Sequence, residues 1–428
     1  MDEKRVEPGP QPPSDAADAT PNQIPLPADD VPDGGLAGWL QVVGGFALFF
    51  NSWGIVNTFG VFQTYYKTNI LADSTPDAIS WIGSLQSCLL LAGGIISGPL
   101  FDAGWFKATI SAGAFAICFG FMMTSLATQY WQIILAQGLC IGLGTGCMVV
   151  PGLSVLPQYF LKKRALVTGI VVCGSSFGGV IYPLIFQALI DKVGFAWTTR
   201  VLGFISLATS SFAVAVMKQR VKARKVRSPI DPTAFREPAY VLYCIAMFFS
   251  NFGFFPPIFY LQTYALSHGL TDTNIALNLV AVLNAASVLG RLAPSPAVSL
   301  IGPINTMITI TAMASIVAFS WIAVQTGPGN IVFAIMYGFT SGGIVSLPAV
   351  VLASITEDLS FLGARMGTSY VFSAAAALCG PPVAGAILDS TRGYLGVQLF
   401  AGFMLFGAAT FHASTRFARV GLKLLVNV

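Results

Sequence analysis

Few side chains in this sequence can do chemistry. Only two of its 428 residues are histidines, His268 and His412, and neither has a metal partner at ligand spacing. The seven cysteines (88, 118, 140, 147, 173, 244 and 379) are odd in number, lie in apolar stretches and show no metal spacing. They read as small packing residues. The run GLGTG, Gly142 to Gly146, has no preceding strand and reads as close helix packing rather than a phosphate loop. No G-x-x-x-x-G-K-[ST] loop exists, which excludes an ATP-driven pump. No cluster of His, Cys or acids stands at catalytic spacing, so an enzyme, a metal site or a cofactor is not expected. What remains is recognition by isolated polar groups in apolar surroundings: Asn51, Asn57, Gln137, Asn251, Tyr260, Gln262, Asn284 and the cation Arg291. An unsatisfied amide in hydrocarbon costs several kcal/mol, so these groups should face protein or water.

The elements that must position them follow from composition. Hydrophobic residues make up 55% of the chain and charged residues 9%, against about 25% charged in ordinary soluble domains. Mean hydropathy is +0.73. So few charges cannot cover a soluble surface of this size, which excludes a cytosolic enzyme, a nucleic-acid binder and a secreted disulfide scaffold. A bilayer crossing needs about 20 apolar residues. Apolar runs and breakers predict an all-α polytopic membrane protein with twelve transmembrane helices, near 38–62, 78–100, 108–128, 131–156, 165–190, 199–217, 238–262, 273–297, 303–325, 329–354, 366–388 and 394–415. Pro151, Pro183, Pro256, Pro257, Pro348 and Pro382 are expected to mark bends.

Charge orients the spans. With both termini cytoplasmic, 18 of the 22 basic residues fall on the cytoplasmic side, and only Lys67, Lys192, Arg200 and Arg392 fall outside. That satisfies the positive-inside rule for twelve spans. Residues 1–33 carry eight acids, two basic residues and eight prolines, for a net charge of −6; they read as a disordered cytoplasmic arm and not a signal peptide. The chain then divides into a six-helix half at 34–217, a basic cytoplasmic linker at 218–237, a second six-helix half at 238–415 and a tail at 416–428. The partners this implies are a lipid bilayer and a small organic substrate, with no nucleic acid. The plasma membrane is the expected location.

The two halves echo one another. FFNSWGIVNTFGVFQTYY, from Phe49, aligns without a gap to FFSNFGFFPPIFYLQTYA, from Phe248, at an offset of 199 residues. Both hold Gly at the sixth place (Gly54, Gly253) and both close on QTY. Pro183 precedes ALID and GF as Pro382 precedes AILD and GY. Related halves imply a pseudo-two-fold axis along the membrane normal and a cavity between them.

Four further motifs carry a resemblance. GPLFDAGWFK, Gly98 to Lys107, between the second and third spans, resembles the cytoplasmic signature of the major facilitator superfamily, although Ala103 stands where that pattern has arginine. PDGGLAGWLQVV (Pro32 to Val43), QYFLKKRALVTGI (Gln158 to Ile170) and GFAWTTR (Gly194 to Arg200) resemble the monocarboxylate porter branch in its fungal-type form. The resemblance implies the major facilitator fold, with spans one, four, seven and ten lining the cavity. It implies a conformational latch at Gly98, Asp102, Gly104 and Lys107. It makes Asn51, Asn57, Gln137, Asn251 and Tyr260 cavity candidates, joined by Asn284 and Arg291 in the eighth span. In animal members of the branch a lysine in span one and an Asp-x-x-x-Arg pair in span eight handle proton and carboxylate. Here those places hold Asn57, Ser287 and Arg291, so the arginine remains and the acid does not. Arg291 then has two readings: a substrate or gating group, or an anchor that snorkels to the headgroups.

The expected function is secondary transport of a small organic anion, monocarboxylate-like, or of a carboxylate-bearing metabolite, by alternating access, with protons as candidate coupling ions. The alternatives are efflux of a larger secondary metabolite and, from another class, a non-transporting nutrient sensor on the same fold.

Overall fold

The computed structural model describes residues 34–160, 163–220, 232–269, 273–356 and 362–421. The arm at 1–33, most of the linker and the end of the tail lie outside the described residues. Those described are helical, and eleven helices are long and apolar enough to cross a membrane. One of the eleven, Leu166–Val216, has 51 residues. At 1.5 Å per residue it would far exceed a bilayer of about 30 Å. It contains Gly194 at φ 73°, ψ 173°, a conformation no helix accommodates. Split there, it gives two spans, and the total is twelve.

We number them α1 (Gly35–Ile70), α2 (Pro76–Phe101), α3 (Phe106–Thr124), α4 (Tyr130–Gln158), α5 (166–193), α6 (195–216), α7 (Pro238–Ser267), α8 (Ile275–Ile301), α9 (Pro303–Ala323), α10 (Gly327–Ile355), α11 (Arg365–Thr391) and α12 (Leu395–Val420). The end where Gly34 and Gly421 lie is called the near end and the opposite one the far end. Proline opens α2, α7 and α9, where its missing N–H costs nothing. Gln129 and Gln132 form a reciprocal cap at the start of α4, and Thr326 Oγ1 caps Gly329 N at the start of α10. At the end of α2, Gly104 takes φ +86°, and the Trp105 amide donates back to Leu100 O at 2.9 Å. That turn closes the helix through a left-handed residue, which glycine adopts without strain.

Of the six prolines expected to mark bends, only Pro348 falls at a break in helix, just after Leu347. Helix runs through Pro151, Pro183, Pro256, Pro257 and Pro382. The irregularities lie elsewhere: α1 breaks at Ser52 (φ −99°, ψ −85°), and π-helical turns occupy Tyr66–Ile70 and Ile134–Ile141. Partners on neighbouring helices can satisfy the backbone groups that proline frees, so helix continues through these positions.

Glycine sets how closely the helices approach. Gly174 and Gly178 of α5 lie against Phe46 O and Phe50 O of α1, and Gly93 of α2 meets Gly146 of α4 backbone to backbone. A second set packs α7 on α11 and α12, α8 on α10, and α9 on α10 and α12. Three seams join the first six helices to the last six: α1 with α7, α2 with α11, and α5 with α8. Phe115, Phe119, Phe204, Phe403 and Phe406 are exposed on the perimeter, where hydrocarbon rather than water is the fitting solvent.

Candidate functional site

The three seams define a pathway and show where it is shut. Toward the far end, Phe59 of α1 lies against Phe259 of α7, with ring centroids 4.8 Å apart. One residue on, Gly60 is so close to α7 that a Cβ there would stand 2.7 Å from Ile258 O. The α2–α11 seam closes the same way: a Cβ on Gly385 would stand 2.6 Å from the Asp77 backbone and 2.6 Å from the Tyr260 hydroxyl. That hydroxyl donates toward Pro381 O at 3.2 Å and Pro76 O at 3.4 Å, tying α7 to both α11 and α2. The far seal is thus backbone pressed on backbone through glycine, with two rings and one phenol added.

On the near side of this seal lies a narrow cleft lined by Trp53, Leu90, Leu91, Val149, Val150 and Tyr370, from α1, α2, α4 and α11. Its volume is about 20 Å³, room for about one water molecule. Nothing larger than water fits there while the seams are in contact. Below the cleft the last turns of α2, Gly94–Asp102, pack chiefly on α4 and little on α11.

The third seam is polar. Ser176 and Ser287 hydroxyls pair at 2.8 Å, Asn284 packs its amide onto Gly179, and Leu292 approaches Gly169. Arg291 is 5% exposed. Its guanidinium donates to Val172 O at 2.6 Å and to the Ser175 hydroxyl, both on α5. It therefore crosses from α8 to α5 instead of running toward the headgroups.

The residues singled out from sequence separate into distinct settings. Asn57 lies one turn from Trp53 on the α1 face that leads to Gly60, is 5% exposed and makes no hydrogen bond among the described residues. Asn251 precedes Phe255 by one turn on α7 and donates to Met247 O within its own helix. Tyr260 belongs to the far seal. Asn284 and Arg291 belong to the α5–α8 seam. Asn51 and Gln137 tie helices of the first six: Asn51 donates to Thr209 and Ser210 and accepts from Tyr182, while Gln137 accepts from Tyr66. Gln262 donates to Leu277 O of α8.

In the GPLFDAGWFK loop, Gly98 sits in α2 with room for a Cβ, 3.7 Å from Val150. Asp102 ends α2, Gly104 makes the left-handed turn, and Lys107 is exposed in the first turn of α3. The loop is fastened to the chain that leaves α6, because Gln219 Nε2 donates to Phe101 O at 3.0 Å. The same short segment, Met217 to Arg220, is held by further bonds. Lys218 N donates to Gln41 Oε1, the Tyr159 hydroxyl to Lys218 O, and Arg220 N to Gln158 Oε1, each at 2.8 Å. Burial raises the Tyr159 phenol above its ordinary range, so it stays a donor. Where the chain re-enters at α7, Glu237 pairs with Arg365, and the Tyr240 hydroxyl donates to Arg365 O at 2.8 Å.

Sequence reasoning missed residues that line the cleft and polar groups one turn away from it. Gln86 on α2 is fully buried, one turn from Leu90, and neither atom of its amide has a partner. Ser373, one turn from Tyr370 on α11, likewise has an unpartnered hydroxyl. Each such group costs about 1–3 kcal/mol until something bonds it. A polar residue in an apolar run was the available signal, and Gln86 met it. Tyr370 and Trp53 carried none, because an aromatic residue in an apolar run reads as core. A separate pocket of about 410 Å³ at the far end, lined by Tyr264, His268, Gln325 and Tyr394 among others, lies wholly within the last six helices and off this pathway.

Comparison with known proteins places this geometry. The pattern of the Major Facilitator Superfamily matches residues 42–356. The chain is 41% identical over 372 residues to the MFS-type transporter dbaD of Emericella nidulans, covering 86% of this chain and 84% of the relative. It is 41% identical over 382 residues to the aspyridones efflux protein apdF of the same organism, covering 89% and 78%. It is 36% identical over 406 residues to the MFS transporter asaE of Aspergillus flavus, covering 93% and 91%.

Proposed function

Because this chain belongs to the major facilitator superfamily, and so is a secondary transporter of that type, we propose that it exports a secondary metabolite by alternating access. The observation that carries the reading is its 41% identity, over 89% of its length, to a protein named for the efflux of aspyridones. The geometry supports it. The helices at 34–217 and 238–415 act as two rocking units that meet along the three seams. The α5–α8 seam, tied by Arg291 and the Ser176–Ser287 pair, is the pivot. The far seal and the near-end contacts open in turn. The near end, which carries the basic loops, is cytoplasmic with both termini, the plasma membrane is the resident membrane, and Gly98, Asp102, Gly104 and Lys107 form a near-end latch.

A small monocarboxylate is the second reading, in the manner of the fungal-type monocarboxylate porters. It draws less support. Arg291 is already engaged by Val172 and Ser175, and Ser287, four residues before it, is bonded to Ser176. Protons are the coupling ion to test. Among the described residues no carboxylate stands in the middle of a span to carry one, which makes uniport the alternative.

The experiment compares metabolites retained and released by producing cells with and without the protein. Accumulation of a defined product inside cells that lack it supports export. An unchanged distribution of every product, with the protein shown to reach the membrane, overturns it. Flux of the identified product into sealed vesicles, with and without an imposed proton gradient, then decides the coupling.

A further inference from the structure

The cleft is lined by aromatic and aliphatic side chains, with buried polar groups one helical turn away and no charge, and this specifies what it can hold. Asn57 of α1 is 5% exposed, and Gln86 of α2 and Ser373 of α11 carry unpartnered polar atoms while fully buried. Each lies one helical turn from a residue that lines the cleft: Trp53, Leu90 and Tyr370 respectively. The walls between them are two aromatic rings and four aliphatic side chains. No ionised side chain lines the cleft among the described residues, and the buried cation Arg291 reaches across to α5 through its Nη1. A carboxylate brought here would lose its water and gain no counter-charge. A neutral molecule with amide or hydroxyl groups would satisfy the waiting donors and acceptors, and its flat apolar face would lie along the Trp53 and Tyr370 rings.

We propose that the substrate cleft takes an uncharged, planar aromatic molecule bearing amide or hydroxyl groups, held by Asn57, Gln86 and Ser373 against Trp53 and Tyr370. The assignment rests on the transport reading above and names its substrate class.

The test uses two probes that share a scaffold and differ in charge: coumarin-3-carboxamide, neutral, and coumarin-3-carboxylate, anionic at neutral pH. The purified full chain in lipid nanodiscs is titrated with each, and tryptophan quenching is followed. The Trp53→Phe variant identifies the signal that comes from the cleft. The carboxamide should quench saturably and bind at least tenfold more tightly than the carboxylate, and the Trp53-dependent part of the signal should vanish in the variant. Asn57→Leu and, independently, Gln86→Leu should each weaken the carboxamide at least fivefold, with unfolding temperature confirming that the variant is intact. Either intact variant suffices. Equal or tighter binding of the carboxylate, lost in Arg291→Gln, overturns the assignment in favour of an anion site. Saturable binding of neither probe overturns it as well, without touching the transport reading, which stands or falls on the cellular metabolite comparison.

Discussion

Replacing Gly385 by alanine should hold the far end open. The magnitude follows from the contact distances. A Cβ at this position would stand 2.6 Å from the Asp77 Cα, 2.6 Å from the Asp77 nitrogen and 2.6 Å from the Tyr260 hydroxyl. Ordinary van der Waals contact needs at least about 3.4 Å, so α2 and α11 must part by roughly 0.8 Å at the seal. The obstructing Asp77 atoms are backbone and cannot rotate away. Overpacking of this kind costs about 1–3 kcal/mol. Because the clash exists only when the seal is shut, the cost falls on that state alone and shifts the balance toward the open state by about 5–150-fold. The assay is the rate at which a membrane-impermeant maleimide, added from the far side, labels Asn57→Cys, which lies below the seal. Labelling should rise at least fivefold in Gly385→Ala, with transport reduced. Gly393→Ala, where a Cβ has room at 3.8 Å from Thr391 O, is the control and should label no faster. Unchanged labelling together with unchanged transport in Gly385→Ala would refute the argument from backbone contact.

Three more outcomes are expected. Gly104→Ala forces a left-handed residue at φ +86° and should destabilise the turn by about 1–2 kcal/mol; Gly104→Asn should be milder, and a reversed order of melting temperatures would contradict the turn's role. Asn51→Leu removes the two bonds donated to Thr209 and Ser210 and the one accepted from Tyr182. At about 0.6 kcal/mol per interhelical bond it should cost about 2 kcal/mol, seen as a lower unfolding temperature with substrate preference unchanged; an unaltered melt would show that the network contributes nothing. Arg291→Met removes the bonds to Val172 O and Ser175 and should slow transport while leaving substrate affinity within about threefold. A selective loss of affinity would instead make Arg291 a substrate group.

The fold was legible because hydrocarbon leaves few options. Twelve apolar runs admit little besides a helical bundle. The site was legible only in part. Amides stand out in an apolar sequence, yet an amide that faces a cavity and one that ties two helices look the same there. Asn57 and Asn51 are six residues apart in one helix, and only packing tells them apart. Gly60 and Gly385 were hidden for a related reason: in a chain with 44 glycines, nothing local marks the two that meet backbone across a seam.

The glycine seal has a consequence for how such a protein can change over generations. Closure depends on the absence of side chains at Gly60 and Gly385, whereas the cleft proposed to recognise substrate is built from side chains around Trp53, Asn57, Gln86 and Tyr370. On that proposal, exchanges in the second set would alter what is carried without touching the surfaces that shut. The door and the lock are written in different letters of the chain, so a lineage can retune its cargo one residue at a time while the same gating cycle is inherited intact.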